Sequence, residues 1–247
     1  AKVSLPFLEK GTESPRGTPP RAQRGAGDAP AKTGAHPMSA ACAAATGILA
    51  GAGSFSPDRS EVLRYLGHRG QELGPELEGR LSAVMARAAA EVRPRWVWRA
   101  CPVTPGPEGF VVGGTGLVLP GRSMEVLLGD ARAVALLAVT CGPGPDAVAA
   151  RDASRDPVGA LVYDACAIDL VEQGADACND AVDAWAAARG LVPTRRYSPG
   201  YGDLPLSVQP ALLEALDAGR RLGVTLTESL LMVPMKSVTA VVGVGPA

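Results

Sequence analysis

Apolar residues recur at three- and four-residue intervals in three stretches of the chain, and each stretch predicts an amphipathic helix. The first stretch begins at Ser56, with Pro57 in its first turn, and the second opens at Pro75. The third is much longer and covers roughly residues 157–188, with Gly174 near its middle. These helices are expected to supply most of the scaffold.

Strand patterns lie between and after these helices. Residues 95–101 alternate and are rich in aromatic and branched side chains, and residues 110–123 suggest two short strands around a glycine turn. Residues 131–142 form a continuous apolar run, which suits a strand buried on both faces. Two further strands are expected at residues 224–227 and 238–242. The order predicts an α+β fold, with a mostly antiparallel twisted sheet and several flanking helices.

The beginning of the chain follows neither pattern. Residues 1 to about 37 are rich in Pro, Gly, Ala and Arg, and the run of small residues after them is interrupted by glycines. Such stretches bury too little apolar surface to offset the entropy lost on ordering. We therefore expect residues 1–55 to be a disordered or weakly ordered extension and residues 56–247 to form the globular domain.

Charge and cysteine usage narrow the functional classes. The net charge of −1 provides no electrostatic footprint for nucleic acid or an anionic membrane, and no apolar run reaches the roughly 18 residues of a membrane span. The five cysteines are scattered and odd in number, which argues against a disulfide framework or a metal site and favours a cytoplasmic location. With two histidines, no nucleophile–base arrangement can be assembled, so no catalytic residue is predicted.

Candidate binding chemistry is concentrated in the segment RRYSPGYGDLP, residues 195–205. Its prolines fix φ and its glycines permit unusual backbone conformations. Arg196 supplies a cation, and a tyrosine stands on each side of Pro199-Gly200. The segment is expected to bring backbone amides, a guanidinium and two aromatic faces close to a ligand, although a simple turn between a strand and a helix would use the same residues.

The order of this loop, a helix and the motif LTES closely resembles the activation (reactivation) domain of cobalamin-dependent methionine synthase, and most of all its free-standing versions. The segments 61–71, 117–123 and 164–172 are also similar, so the resemblance covers roughly residues 56–247. The residues that carry it are Arg196, Pro199, Gly200, Tyr201, Leu226, Thr227, Glu228, Ser229, Pro234, Ser237 and Val238.

The resemblance implies a function in repair of a corrinoid enzyme. In that family, S-adenosylmethionine is held over cobalamin carried by another domain, inactive cob(II)alamin is reduced by a flavodoxin-type donor, and methyl transfer restores methylcobalamin. For this chain it implies a partner methionine synthase that lacks its own activation domain. Two alternatives stay open: a non-catalytic module that binds S-adenosylmethionine or a corrinoid protein, and an activator of a different corrinoid methyltransferase.

The resemblance also implies roles for individual residues. Arg196 would bind the methionyl carboxylate, Tyr201 would face the sulfonium, and Glu172 would balance its charge or bind the amino group. An acidic ligand expected near the start of the domain has Asp58 and Glu61 as candidates. The predicted ligand-binding set is Arg196, Tyr197, Pro199, Gly200, Tyr201, Glu172 and Glu228.

Overall fold

The structure is a computed structural model and describes residues 46–246. Its strands pair into one seven-stranded sheet and one two-stranded sheet, and every pairing is antiparallel. The strands are β1 (Leu49–Ala52), β2 (Arg95–Gly106), β3 (Gly109–Val112), β4 (Val118–Leu119), β5 (Ala133–Thr140), β6 (Val192–Pro193), β7 (Thr225–Leu226), β8 (Met232–Val233) and β9 (Ser237–Gly245).

Seven α-helices flank the large sheet within the described residues. They are α1 (Arg59–Tyr65), α2 (Pro75–Glu91), α3 (Arg122–Leu128), α4 (Gly144–Asp152), α5 (Pro157–Ala187), α6 (Gln209–Ala215) and α7 (Ala218–Leu222). The predicted α+β fold with a mostly antiparallel sheet is therefore confirmed.

Strand β5 lies at the centre of the large sheet, whose order is β4-β3-β2-β5-β9-β6 with β1 added beside β2. All eight residues of β5 are buried, as the continuous apolar run predicted. Because successive side chains point to opposite faces, Leu137 and Val139 enter one core while Leu136 and Ala138 enter another. The first core lies against α1, α2, α4 and α5, and the second core lies against α3, α6 and α7.

Helix α5 is the longest element and runs across the first core. Asp156 caps its beginning by accepting a hydrogen bond from the Gly159 N–H, and Pro157 occupies its first turn. Gly174 does not interrupt the helix. A Cβ added there would lie 2.6 Å from Pro94 Cβ and 3.2 Å from Val139 Cγ1, so this glycine allows the helix to approach the sheet closely.

The sheet begins earlier than the predicted domain boundary at Ser56. β1 pairs with β2, with Leu49 opposite Trp98 and Ala52 opposite Arg95. Strands pair through hydrogen bonds between backbone groups, so the small residues of β1 can pair with β2 without an alternating apolar pattern in the sequence. Residues 1–45 lie outside the described residues, and the expectation of weak order there stays a prediction.

The helix after the 195–205 segment differs from expectation. A 3₁₀ turn (Leu206–Val208) precedes α6, and Asp217, at φ 49°, separates α6 from α7. Ser207 lies inside the 3₁₀ turn, and no side-chain hydrogen bond caps the turn or α6. A left-handed residue breaks the helical backbone, which the apolar periodicity alone did not indicate.

Within residues 46–246 no helix is long and apolar enough to cross a membrane. The four cysteines in this part of the chain (Cys101, Cys141, Cys166 and Cys178) are buried and free. The fifth, Cys42, lies outside the described residues.

Candidate functional site

The segment that carries Arg196 is held against the edge of β9. After Gly190, at φ 66°, the chain turns back from α5, and β6 pairs with the end of β9. The Tyr197 N–H donates to the Val241 carbonyl at 2.9 Å, and the Val241 N–H donates to the Tyr197 carbonyl at 2.8 Å. Because side chains alternate, Tyr197 packs against the second core while Arg196 reaches α5 on the other face.

The turn that follows is closed by its own backbone. The Gly200 N–H donates to the Leu204 carbonyl at 2.9 Å, and the Tyr201 N–H donates to the Ser198 carbonyl at 3.3 Å. Gly200 has φ 92° and Gly202 has φ 49°, conformations that favour glycine. A Cβ at Gly202 would overlap the Tyr197 hydroxyl.

These bonds correct one expectation. The sequence suggested that the amides around Tyr197 and Pro199–Tyr201 would be available to a ligand. In the structure the N–H groups of Tyr197, Gly200 and Tyr201 are already paired, and proline has none. Recognition at this turn therefore falls to side chains and carbonyl oxygens.

Arg196 lies in a cluster of carboxylates on α5. Its Nη2 is 2.8 Å from Asp176 Oδ1 and 3.5 Å from Glu172 Oε2. Residues four apart share a helix face, so α5 presents both acids to the same guanidinium. The Arg196 and Glu172 side chains are each 24% exposed, whereas that of Asp176 is 69% exposed. The second terminal nitrogen, Nη1, is buried and has no hydrogen-bond partner among the described residues.

The negative charge of Glu172 contributes to a raised pKa at two tyrosines, Tyr201 and Tyr65. Burial, and then the Glu172 carboxylate, raises the pKa of Tyr201 above its ordinary value. Burial also raises the pKa of Tyr65 at the end of α1; Arg64 opposes that rise and Glu172 adds to it. The Tyr201 ring stands edge to face with Tyr197, with ring centroids 6.4 Å apart. The site thus combines one guanidinium, two carboxylates and aromatic surface.

Asp203 fastens the same turn to α3. Its carboxylate accepts hydrogen bonds from the N–H groups of Arg122, at 2.6 Å, and Ser123, at 3.1 Å. Ser123 itself lies inside α3, and the acceptor for the first N–H groups of the helix comes from a residue distant in sequence. Only the folded chain brings a capping acid to this position.

A cleft of about 610 Å³ opens beside Tyr197 and α3, and its lining does not include Arg196, Glu172 or Tyr201. The polar residues that line it are Arg122, Ser123, Thr194, Arg195, Tyr197 and Asp203. Arg195 and Arg196 therefore face different surroundings although they are neighbours in sequence.

The remaining predicted residues are placed as follows. Pro199 is buried inside the turn. Glu228 is exposed between β7 and β8, and it forms no ion pair with any residue in 46–246. Asp58 caps α1 by accepting from the N–H groups of Ser60 and Glu61, and the Glu61 carboxylate also pairs with Arg64. The structure therefore brings Arg196, Tyr201 and Glu172 together and leaves the contribution of Glu228 a prediction.

Sequence reasoning missed two acids of α5 that meet cations. Asp176 contacts Arg196, and Asp164 lies 2.7 Å from the nearly buried Lys236 Nζ. Glu172 and Asp176 are four residues apart, a spacing that places both on one helix face. That spacing was visible in the sequence, but the cations opposite it were not. In the part of the chain that the structure describes, no group of three or more His, Cys, Asp and Glu side chains could hold a metal ion.

Two kinds of comparison with known proteins give matches. Residues 127–247 match the family model described as "Vitamin B12 dependent methionine synthase, activation domain". Among solved structures, the MetH reactivation domain bound to AdoHcy is similar, with a TM-score of 0.57 and 17% sequence identity. That match covers 81% of this chain and 79% of the other, and it shows a shared fold. A search of curated proteins finds no significant match.

Proposed function

We propose that this chain binds S-adenosylmethionine and supports reductive methylation of cob(II)alamin on a partner methionine synthase. The premise is that residues 127–247 belong to the activation-domain family of vitamin B12-dependent methionine synthase. In this proposal the partner lacks its own activation domain, a flavodoxin-type donor supplies the electron, and the process takes place in the cytoplasm. S-adenosylmethionine supplies the methyl group, and the partner's cobalt accepts it.

The observation that carries the proposal is the environment of Arg196. A buried guanidinium nitrogen without an acceptor is costly, because the N–H groups lose water and gain nothing in exchange. Arg196 Nη1 is such a nitrogen, and it belongs to the arginine of the R-x-x-P-G-Y motif. A carboxylate can satisfy a guanidinium through two parallel hydrogen bonds, which the single ammonium of lysine cannot copy. The methionyl carboxylate of S-adenosylmethionine is the group that we assign to Arg196.

The charges around Arg196 also suit this ligand. S-adenosylmethionine carries an ammonium and a sulfonium in addition to its carboxylate. Glu172 and Asp176 together provide two negative charges beside the one positive charge of Arg196. The ring of Tyr201, partly buried near Glu172, offers a π face that attracts a cation by about 0.5–2 kcal/mol. Glu172 and the ring of Tyr201 can thus attract the cationic groups, and Arg196 can donate to the anionic one.

The chain's own part in the reaction is to bind and orient. No residue of the cluster needs to act as a nucleophile, because the methyl donor and the corrinoid supply the reacting atoms. Arg196 fixes one end of the ligand, and the closed turn at Pro199–Leu204 holds Tyr201 in a defined position. Holding the reactants in a productive orientation is the contribution expected of such a site.

The test is a calorimetric titration with S-adenosylmethionine. Arg196→Ala is expected to weaken binding by about 2–4 kcal/mol, since it removes one partner of a partly desolvated charge pair. Arg196→Lys is expected to recover only part of the loss. Arg195→Ala is the matched control: it removes the same charge one position away, from an exposed side chain that lines the other cleft.

A second measurement separates activation from simple binding. Transfer of a labelled methyl group from S-adenosylmethionine to a reduced corrinoid methionine synthase is expected only when this chain is present. Binding without transfer would favour a non-catalytic module, and transfer to another corrinoid protein alone would favour a different methyltransferase partner. Wild-type affinity in Arg196→Ala would refute the assignment of the site.

A further inference from the structure

The nitrogen of Arg196 that faces the acids of α5 is already held by a carboxylate of this chain. Asp176 Oδ1 lies 2.8 Å from Nη2 in a close ion pair, whereas Glu172 Oε2 lies at 3.5 Å. The other terminal nitrogen, Nη1, is buried and unpaired. A ligand carboxylate that grips both nitrogens must therefore share Nη2 with Asp176 or displace it.

Displacement is physically feasible because the two acids differ in exposure. The Asp176 side chain is 69% exposed, so its carboxylate can rotate into water with little loss of solvation. Glu172 is 24% exposed and is enclosed near Tyr201 and Tyr65. Of the two acids, Asp176 is the one that can leave Arg196, and Glu172 is the one that stays.

We propose that Asp176 is an internal competitor, which occupies Arg196 in the empty site and is displaced by the carboxylate of the bound nucleoside. This inference rests on the proposed function, because it takes Arg196 as the carboxylate-binding residue. The contact has two consequences. It keeps the long Arg196 side chain in place when no ligand is bound, and it lowers affinity for every ligand that carries a carboxylate.

Competition is specific to one end of the ligand. S-adenosylhomocysteine has an amino-acid end and must displace Asp176. 5′-Methylthioadenosine is a similar thioether nucleoside without that end, so it leaves the contact intact. Neither molecule carries a sulfonium charge, so the comparison reports only on the amino-acid end, which contains a carboxylate and an ammonium. Removal of an acidic side chain can only weaken binding of the ammonium, so tighter binding in a variant without Asp176 reports release of Arg196 to the carboxylate.

The experiment measures both ligands by calorimetry on Asp176→Asn and on Asp180→Asn. Asp180 lies one turn further along α5, is exposed, and forms no ion pair with any described residue, so its substitution removes the same charge without the contact. Asp176→Asn is expected to tighten S-adenosylhomocysteine about two- to fivefold, or about 0.4–1 kcal/mol at 1.4 kcal/mol per tenfold, the range of an exposed ion pair. Its affinity for 5′-methylthioadenosine, and both affinities of Asp180→Asn, are expected to equal those of the wild type.

The other outcomes overturn the proposal in distinguishable ways. Equal tightening in Asp176→Asn and Asp180→Asn would show an effect of overall charge. Binding of S-adenosylhomocysteine could instead be weaker or unchanged in Asp176→Asn and still be lost in Arg196→Ala. That result would refute the role of Asp176 as a competitor but would agree with the proposed function. A folded wild type that binds neither nucleoside would overturn both. Thermal melting of each variant verifies that it is folded.

Discussion

Substitution of Gly174 by alanine tests how closely α5 lies against the sheet. An alanine Cβ at this position would be 2.6 Å from Pro94 Cβ and 3.2 Å from Val139 Cγ1. The first distance is far inside van der Waals contact, and Pro94 is a cyclic residue that cannot rotate away. The clash must be relieved by movement of α5 or of the start of β2.

The expected magnitude follows from two opposing effects. Inserting a methyl group into a packed interior costs about 1–3 kcal/mol, and a rigid neighbour favours the upper part of that range. Replacing glycine by alanine inside a helix stabilises the helix by about 0.8–1.0 kcal/mol. We therefore expect Gly174→Ala to lower the free energy of unfolding by about 1–2 kcal/mol, which corresponds to a fall in Tm of roughly 2–4 °C per kcal/mol for a protein of this size.

Gly79→Ala provides the matched control. Gly79 lies inside α2, is exposed, and has no atom within 4 Å of the position that a Cβ would occupy. The same substitution is therefore expected to raise stability by about 0.8–1.0 kcal/mol, so the two variants should move in opposite directions. Urea unfolding monitored by circular dichroism measures both. If Gly174→Ala stabilises the protein as much as Gly79→Ala does, the close approach of α5 to Pro94 is refuted.

Two further predictions concern the turn and the cysteines. Hydrogen bonds from the Ser123 side chain, and then from backbone N–H groups, hold the pKa of Asp203 below its ordinary value of 3.8. The ionised Asp203 carboxylate therefore stabilises the fold fully above pH 3.8, and this stabilisation is lost as the pH falls through the lower pKa of the folded state. In urea unfolding, Asp203→Asn should have a lower free energy of unfolding than the wild type at pH 5 and should lose less of it between pH 5 and pH 2. Parallel plots of this free energy against pH for the two proteins would contradict the prediction. Burial raises the pKa of Cys141, Cys166 and Cys178 to about 12, and Cys101 is also buried. A thiol reagent at pH 8 should leave these four unmodified until the protein is unfolded, when all five cysteines should react, and rapid labelling of any of the four in the native protein would disprove it.

The elements with strong periodicity could be predicted from the sequence. The apolar run of β5 and the long pattern of α5 gave strand and helix close to their observed limits. The strand expected at residues 238–242 extends over Ser237–Gly245, because its small residues pair as well as its branched ones. Local patterns determined these elements, and neighbouring packing set their ends.

The details that depend on distant contacts could not be predicted in this way. Asp203 caps α3 across the turn, and Tyr197 pairs with Val241; neither partner is indicated by nearby residues. The resemblance to the activation domain singled out Arg196 and Glu172, but it did not indicate that Asp176 would take up Arg196 Nη2. Ion pairs between elements become visible only when the fold brings the elements together.

The pairing of Tyr197 with Val241 also sets an order of events during synthesis. Val241 of β9 follows Tyr197 by more than forty residues, and translation adds roughly 5–20 residues per second. For several seconds the emerging chain therefore carries the motif arginine and its tyrosines without the strand that holds them. During this interval one edge of the apolar strand β5 also lacks its neighbour, and such an unpaired edge invites association with other chains. The proposed ligand site is thus completed only when β9 pairs with Tyr197, and the same pairing covers the open edge of β5.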